Sequence, residues 1–245
     1  MTTPFGRQKD AKQEFNLDGV SVMLAMPVHR DCTWQTTMSL IQTQALFMER
    51  GIVLDIQAEI GGSLVEASRS KLCNTFLEGE RSHMFWVDSD VGWRAEDFLR
   101  LVALATKMDV VAGCYPAKND ALTFLLDVDP WKKVKVNSFG CLPVNGLGLG
   151  FCCVQRHVIT RLSGKAPKLK FPDTEGPIPH IFHNGESKGR FQGEDMGFFE
   201  DIRALGLNVF IDPTIILGHV GSKIYSGSVM DVLQKESESA APKAA

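Results

Sequence analysis

Apolar residues along this chain switch between two spacings, and the switches lay out a series of elements. Residues 20–26 (VSVMLAM, after Gly19) form an apolar run that predicts a buried strand, stopped by Pro27. Over 33–50 the spacing changes to threes and fours through Trp34, Met38, Ile41, Ala45 and Met48. That stripe predicts a helix, ended by Gly51. Residues 52–58 (IVLDIQA) predict a second strand before the turn Gly61-Gly62. A helical period follows over 64–79 through Leu64, Leu72, Phe76 and Leu77, then a strand at 84–87. A helix near 95–107 and a strand at 109–114 (DVVAGC) complete a strand–helix alternation. Such an order implies a mostly parallel sheet with right-handed crossovers.

The pattern then breaks up. Residues 122–156 hold short apolar runs interrupted by Pro130, Gly140, Pro143, Gly146, Gly148 and Gly150, which predicts shorter, mixed or antiparallel strands. A short helix is expected at 157–163, and a long active-site loop at 164–193, rich in Gly, Pro, Lys and His. A helix at 195–205 and a strand at 208–212 close the domain. The layout expected is a polar N-terminal arm (1–18), one α/β domain (19–233) and a disordered tail (234–245, QKESESAAPKAA). No internal repeat is found.

Composition narrows the function classes. Length, 44% hydrophobic residues and 22% charged residues suit one globular domain with a full core. A net charge of −3 argues against strong nonspecific binding to nucleic acid or anionic membrane. Basic loops remain at Lys132, Lys133 and Lys135, and at Lys165, Lys168 and Lys170. The N-terminus lacks an apolar signal core, and no apolar run is long enough to span a membrane. The six cysteines form no Cys-x-x-Cys pair and several lie in apolar stretches, so reduced, buried thiols in a cytoplasmic protein are expected.

The strand at 84–87 ends in Asp88-Ser89-Asp90 and so carries two carboxylates to its tip. Ligands of open α/β sheets bind beyond the carboxyl ends of the strands. Carboxylate oxygens suit Mg²⁺ or Mn²⁺, and these cations suit phosphate. The pattern by itself is weak, because 16 Asp in a chain of this size give about one chance Asp-x-Asp match. A second match, Asp127-Val128-Asp129, precedes Pro130 and is read as a turn. The bland alternative for Asp88 and Asp90 is capping of the next helix, or a turn at Gly92.

Several segments in order resemble the GT-A fold glycosyltransferases of small bacterial and phage type. They are Ala25-Met26-Pro27-Val28, Glu66-Ala67-Ser68-Arg69 with Asn74, FWVDSD (85–90), DVVAGCYPAK (109–118), GLGLGFCCVQR (146–156), GEDMGFFEDIRALG (193–206) and DPTIILGHVG (212–221). The resemblance spans roughly residues 20–225. It implies a single GT-A domain with a mixed, mostly parallel sheet flanked by helices. It also implies a nucleoside diphosphate sugar donor (UDP-sugar first among them), Mn²⁺ or Mg²⁺, and an acceptor hydroxyl. On that likeness Asp88 and Asp90, with Ser89 between them, hold nucleotide and metal, and His219 is the third metal ligand.

The same likeness makes Asp195 the catalytic base, with Glu194 as the alternative. Acids at a helix start are equally explained by the dipole. Arg69 contacts nucleotide or phosphate, or else is an exposed helical charge. Pro27, Val28 and Arg30 border the nucleobase, Gly148 lets the donor sugar lie on backbone, and Tyr115, Pro116 and Lys118 line the acceptor side. Trp93 is read as packing. The acceptor is left open among a glycan, a protein, a lipid-linked sugar and a hydroxymethylated DNA base. Two rivals stand beside this reading. One is a sugar-phosphate nucleotidyltransferase, disfavoured by the lack of glycine in AMPVHRD; the other is a noncatalytic sugar-binding module.

Overall fold

A computed structural model of the chain describes residues 15–129, 135–187 and 189–233. The expected N-terminal arm up to residue 14, Pro130, Lys132, Lys133 and the tail from 234 lie outside the described residues. The first half keeps the predicted order: β1 (Ser21–Val28), α1 (Trp34–Glu49), β2 (Val53–Ile60), α2 (Val65–Glu78), β3 (His83–Val87), β4 (Val91–Gly92), α3 (Ala95–Ala105) and β5 (Val110–Ala112). Short pieces follow as β6 (Leu126–Asp127), β7 (Leu142–Val144) and β8 (Gly146–Leu147), then β9 (Phe151–Gln155) and α4 (Arg156–Ser163). Next come β10 (Lys168–Leu169), β11 (Ile178–Pro179), β12 (Gly185–Ser187), β13 (Arg190–Gln192) and α5 (Glu194–Ala204). The described chain closes with β14 (Val209–Ile211), β15 (Leu217–Val220) and β16 (Ile224–Gly227).

Seven strands form the central sheet in the order β2-β1-β3-β9-β5-β14-β7. β1, β2, β3, β5 and β14 run one way; β9 and β7 run against them. β9 inserts between β3 and β5, buried on both faces. Its run Phe151-Cys152-Cys153-Val154 is fully enclosed, which is why it lacks alternation. β1 and β3 each send alternate side chains to two cores. Met23, Ala25, Met84 and Trp86 join Phe182, Phe198 and Phe199 on one side. Val22, Leu24, Phe85 and Val87 join Phe47, Phe98 and Phe151 on the other. Phe15 and Leu17 pack against this second core, with the Phe15 ring 5.9 Å from that of Phe139.

Four expectations need correction. β1 runs through Pro27 to Val28, because β3 has already left the ladder at Ala25 and only β2 remains beside it. A missing N–H is tolerated at such an edge position. The stripe Trp34, Ile41, Met48 on α1 faces outward, and the buried positions are Thr36, Ser39, Thr43 and Phe47. Their hydroxyls explain the reversal. Thr36 donates to the Val91 carbonyl (2.7 Å), Ser39 to that of Trp93 (2.7 Å), and Thr43 accepts the Trp93 indole N–H (2.9 Å). Asp127 belongs to β6, paired with β8, rather than to a turn. The stretch 164–193 is not one loop; it holds the pairs β10–β11 and β12–β13. Among the described residues no helix is long and apolar enough to cross a membrane.

Candidate functional site

The cleft forms where the carboxyl ends of β1, β2 and β3 meet the start of α5. Parallel pairing of β1 with β2 carries both strand ends to one edge, and the Gly61 N–H closes onto the Val28 carbonyl (2.8 Å). β3 continues into Asp88, whose N–H bonds the Gly150 carbonyl (3.1 Å), and a turn back to β4 follows through Val91 N–H to Asp88 O (3.2 Å). β15 pairs with β4, Gly218 opposite Gly92 and His219 opposite Val91, while the Val220 N–H bonds the Asp90 carbonyl (2.8 Å). That ladder sets His219 beside Asp90.

The resulting cavity has a volume of about 370 Å³, within the range of small-ligand sites. Pro27, Val28, Arg69, Asp88, Ser89, Asp90, Glu194, Asp195 and His219 all line it. Arg30 and Gly148 do not. Arg30 is exposed just past β1. Gly148 faces Tyr115: a Cβ there would lie 2.7 Å from the phenol oxygen. Gly150 is tighter still, with a Cβ falling 2.4 Å from Asp88 Oδ2 and 2.7 Å from the Tyr115 ring. Gly148 and Gly150 thus make room for Tyr115 and Asp88, and Gly146 for the side chain of Met196.

Arg69 is the hub. It is 3% exposed, not a solvated helical charge, because α2 turns Ser68, Arg69 and Ser70 inward. Its guanidinium reaches Asp88 Oδ1 (3.1 Å), Glu194 Oε1 (3.1 Å) and Asp195 Oδ1, and lies 5.8 Å from the Phe182 ring centre. Asp195 Oδ2 also accepts the Leu149 N–H (3.2 Å), and the Glu194 N–H at the helix start is taken by Asn184 Oδ1 (3.1 Å). Asp88 Oδ2 accepts the Tyr115 hydroxyl (3.1 Å), which itself accepts the Gly150 N–H (3.3 Å). Burial, then the Asp88 charge, pushes the Tyr115 hydroxyl well above its ordinary range.

Asp90 lies in a separate subgroup. Its Oδ2 takes the Lys118 ammonium (2.5 Å) and its Oδ1 faces His219 Nε2 at 3.6 Å. His219 Nδ1 lies 2.9 Å from the Pro116 carbonyl. A carbonyl only accepts, so Nδ1 carries a hydrogen and Nε2 is the ring nitrogen that faces Asp90. Burial alone would raise the Asp90 carboxyl. The bonds with His219 and Lys118 outweigh burial and hold it below its ordinary value.

Asp88, by contrast, turns to Arg69 and Tyr115. Among the described residues no three His, Cys, Asp or Glu side chains are grouped to hold a cation. The expected trio of Asp88, Asp90 and His219 is therefore divided between two neighbouring subgroups. Lys118, expected on the acceptor side, bonds Asp90, and Trp93 is buried packing.

Tyr115, expected on the acceptor side, partners Asp88, and the wall of His29, Gly62, Ser63 and Ser68 was not legible as site residues. His29 Nδ1 lies 3.1 Å from the Gly62 carbonyl. The Gly61-Gly62 turn, placed by the parallel register beside Val28, was the only available signal for that wall.

No family model matches the chain, and no curated protein matches it in sequence. Among solved structures it is similar to GalNAc-T7 with UDP, GalNAc and Mn²⁺, with a TM-score of 0.50 and 10% identity over 83% of this chain and 44% of that one. This chain thus spans less than half that structure's length. A match to 4-diphosphocytidyl-2C-methyl-D-erythritol synthase from Anaerococcus prevotii DSM 20548 has a TM-score of 0.37 and 12% identity, over 64% of this chain and 80% of that one. The first likeness defines the class: a mixed α/β protein with a GT-A-like fold. At 10% identity it shows the fold alone.

Proposed function

We propose that the chain is a metal-dependent glycosyltransferase of hexosyltransferase type. It moves a sugar from a nucleoside diphosphate sugar, with UDP-sugars the first to test, to an acceptor hydroxyl. The observation that carries the reading is the pairing, across one cleft, of Asp90 and His219 with the Arg69-bound carboxylates Asp88, Glu194 and Asp195. One side is suited to a departing diphosphate and the other to an incoming hydroxyl.

Asp90 and the Nε2 of His219 would offer one oxygen and one nitrogen ligand, a donor set that suits Mn²⁺ or Mg²⁺. The ammonium of Lys118 on Asp90 indicates a place that favours positive charge. The remaining ligands would come from substrate phosphate and water. When bound, the cation supplies charge stabilisation for the leaving diphosphate. Ser89 and the ends of β1 and β2, with Pro27, Val28 and His29, border the nucleoside.

Asp195 receives the acceptor proton. Its two oxygens are fixed by Arg69 and the Leu149 N–H, which aims the carboxylate. A carboxylate oxygen with one partner retains a lone pair for a hydroxyl. Attack by a hydroxyl deprotonated there inverts the sugar's configuration. Glu194 and Asp88 brace Arg69 from its other sides. The acceptor is a glycan, a protein or a hydroxymethylated DNA base. Free cysteines, five of the six buried, suit a reducing cytoplasm.

The test is a UDP-sugar panel with Mn²⁺, read as UDP release with and without acceptors. Release should fall to background in Asp90→Ala. In Asp195→Asn it should drop by the roughly 10²–10⁴-fold typical of a lost general base. Pyrophosphate release from a nucleoside triphosphate and a sugar phosphate would instead make the protein a nucleotidyltransferase. Saturable sugar-nucleotide binding without turnover would make it a binding module.

A further inference from the structure

Outside the cleft, exposed apolar side chains concentrate on α1, β2 and the segment that follows β2. Among the described residues fourteen large hydrophobics are exposed, and eight of them fall between residues 34 and 65. Scattered exposure needs no explanation; concentration does. On α1, Trp34 (70% exposed), Ile41 (56%) and Met48 (71%) form a line completed by half-buried Met38 and exposed Ala45.

β2 extends this line. It is the sheet's edge strand, paired only with β1. Its Leu54 joins Phe47 of α1 in one core, while Asp55 and Glu59 pair with Arg81 and Lys71 on the opposite side. The even-numbered residues of β2 therefore face the α1 layer. Past Leu54, α1 leaves them uncovered, with Ile56 and Ile60 at 41% and 72% exposure.

We propose that this face is a two-fold interface between two copies of the chain, with α1 packed antiparallel against α1 of the second copy. The stripe repeats at four and three, the spacing of a helix–helix seam. Turned about Ile41, the antiparallel arrangement sets Trp34 against Met48 and Ile41 against its own counterpart, with Met38 opposite Gln44 and next to the small Ala45, so the same patch is its own complement.

The five side chains Trp34, Ile41, Met48, Ile56 and Ile60 expose on the order of 700 Å², close to the roughly 800 Å² each partner contributes to a stable interface. A lipid surface fits less well. α1 contains no Lys or Arg, and Gln35, Gln42 and Gln44 stand where a membrane helix would carry basic residues.

The test is the mass in solution, by sedimentation and by light scattering, at micromolar concentration. The wild type should have twice the 27.0 kDa of one chain. Ile41→Glu with Met48→Glu should be a monomer with an unchanged far-ultraviolet spectrum. Phe191→Glu, at an exposed position elsewhere, should remain dimeric. Ile41→Cys should cross-link to its own counterpart under mild oxidation. A wild-type monomer, a dimer surviving both glutamates, or vesicle binding by a monomer would each overturn the proposal.

Discussion

Replacing Arg69 by methionine removes the only positive charge that Asp88, Glu194 and Asp195 share in the described structure. Methionine keeps most of the volume against Phe182, so the loss is chiefly electrostatic. Deleting one partner of a buried ion pair costs about 3–5 kcal/mol, because the other charge stays behind uncompensated. The three carboxylates retain 16–25% exposure, and water reaching them puts the expected cost at the low end, about 3 kcal/mol. For a domain of this size that lowers the melting temperature by about 6–12 °C.

A double-mutant cycle with Asp195→Asn separates the charge loss from packing. The double variant should be more stable than the sum of the singles by about 1 kcal/mol or more. Arg69→Met melting within about 2 °C of wild type, or strict additivity in the cycle, would refute the assignment of Arg69 as the charge hub.

Gly150→Ala places a Cβ on Asp88 Oδ2 and the Tyr115 ring. It should cost about 1–3 kcal/mol in overpacking and cut UDP release, measured by thermal melts and the release assay. Thr43→Val removes the acceptor of the Trp93 indole N–H; a loss of about 1–3 kcal/mol is expected in urea unfolding, with no change in donor affinity. Burial pushes the Cys114 and Cys141 thiols up to about 12, and raises Cys73, Cys152 and Cys153 as well. At mildly alkaline pH a thiol reagent should therefore modify Cys32 alone in the native protein, and all six cysteines after denaturation.

Much of the fold was legible because burial on a sheet leaves a simple mark. The runs at β1, β3 and β9 are apolar on both faces and were visible as such, and the strand–helix alternation up to β5 fixed its parallel half. Two features were hidden for physical reasons. The stripe on α1 has the right period, but hydroxyl groups of Thr36, Ser39 and Thr43 can be buried when backbone carbonyls and an indole accept or supply their hydrogen bonds. Periodicity cannot tell which of two faces that is. The insertion of β9 between β3 and β5 depends on pairings far apart in the chain.

The site was legible as a set of residues and less so as an arrangement. Asp88, Asp90, Glu194, Asp195 and His219 do line one cleft. Yet the split between Asp88 on Arg69 and Asp90 on His219 follows from three-dimensional register, β15 against β4 and α2 against α5. No spacing in the sequence encodes it. Gly148 and Gly150 illustrate the same limit: the need for glycine was visible, and what occupies the space beside each was not.

The most direct measurement of the central claim is titration of UDP into the protein with and without Mn²⁺, in wild type, Asp90→Ala and His219→Ala, followed by calorimetry and thermal melting. A ligand at a hundredfold excess over its Kd stabilises the native state by about 2.7 kcal/mol, or roughly 5–10 °C here. The account predicts that shift in wild type only when UDP and Mn²⁺ are both present, and its loss in Asp90→Ala and weakening in His219→Ala. UDP binding that ignores Mn²⁺, or that survives unchanged in both variants, would contradict it.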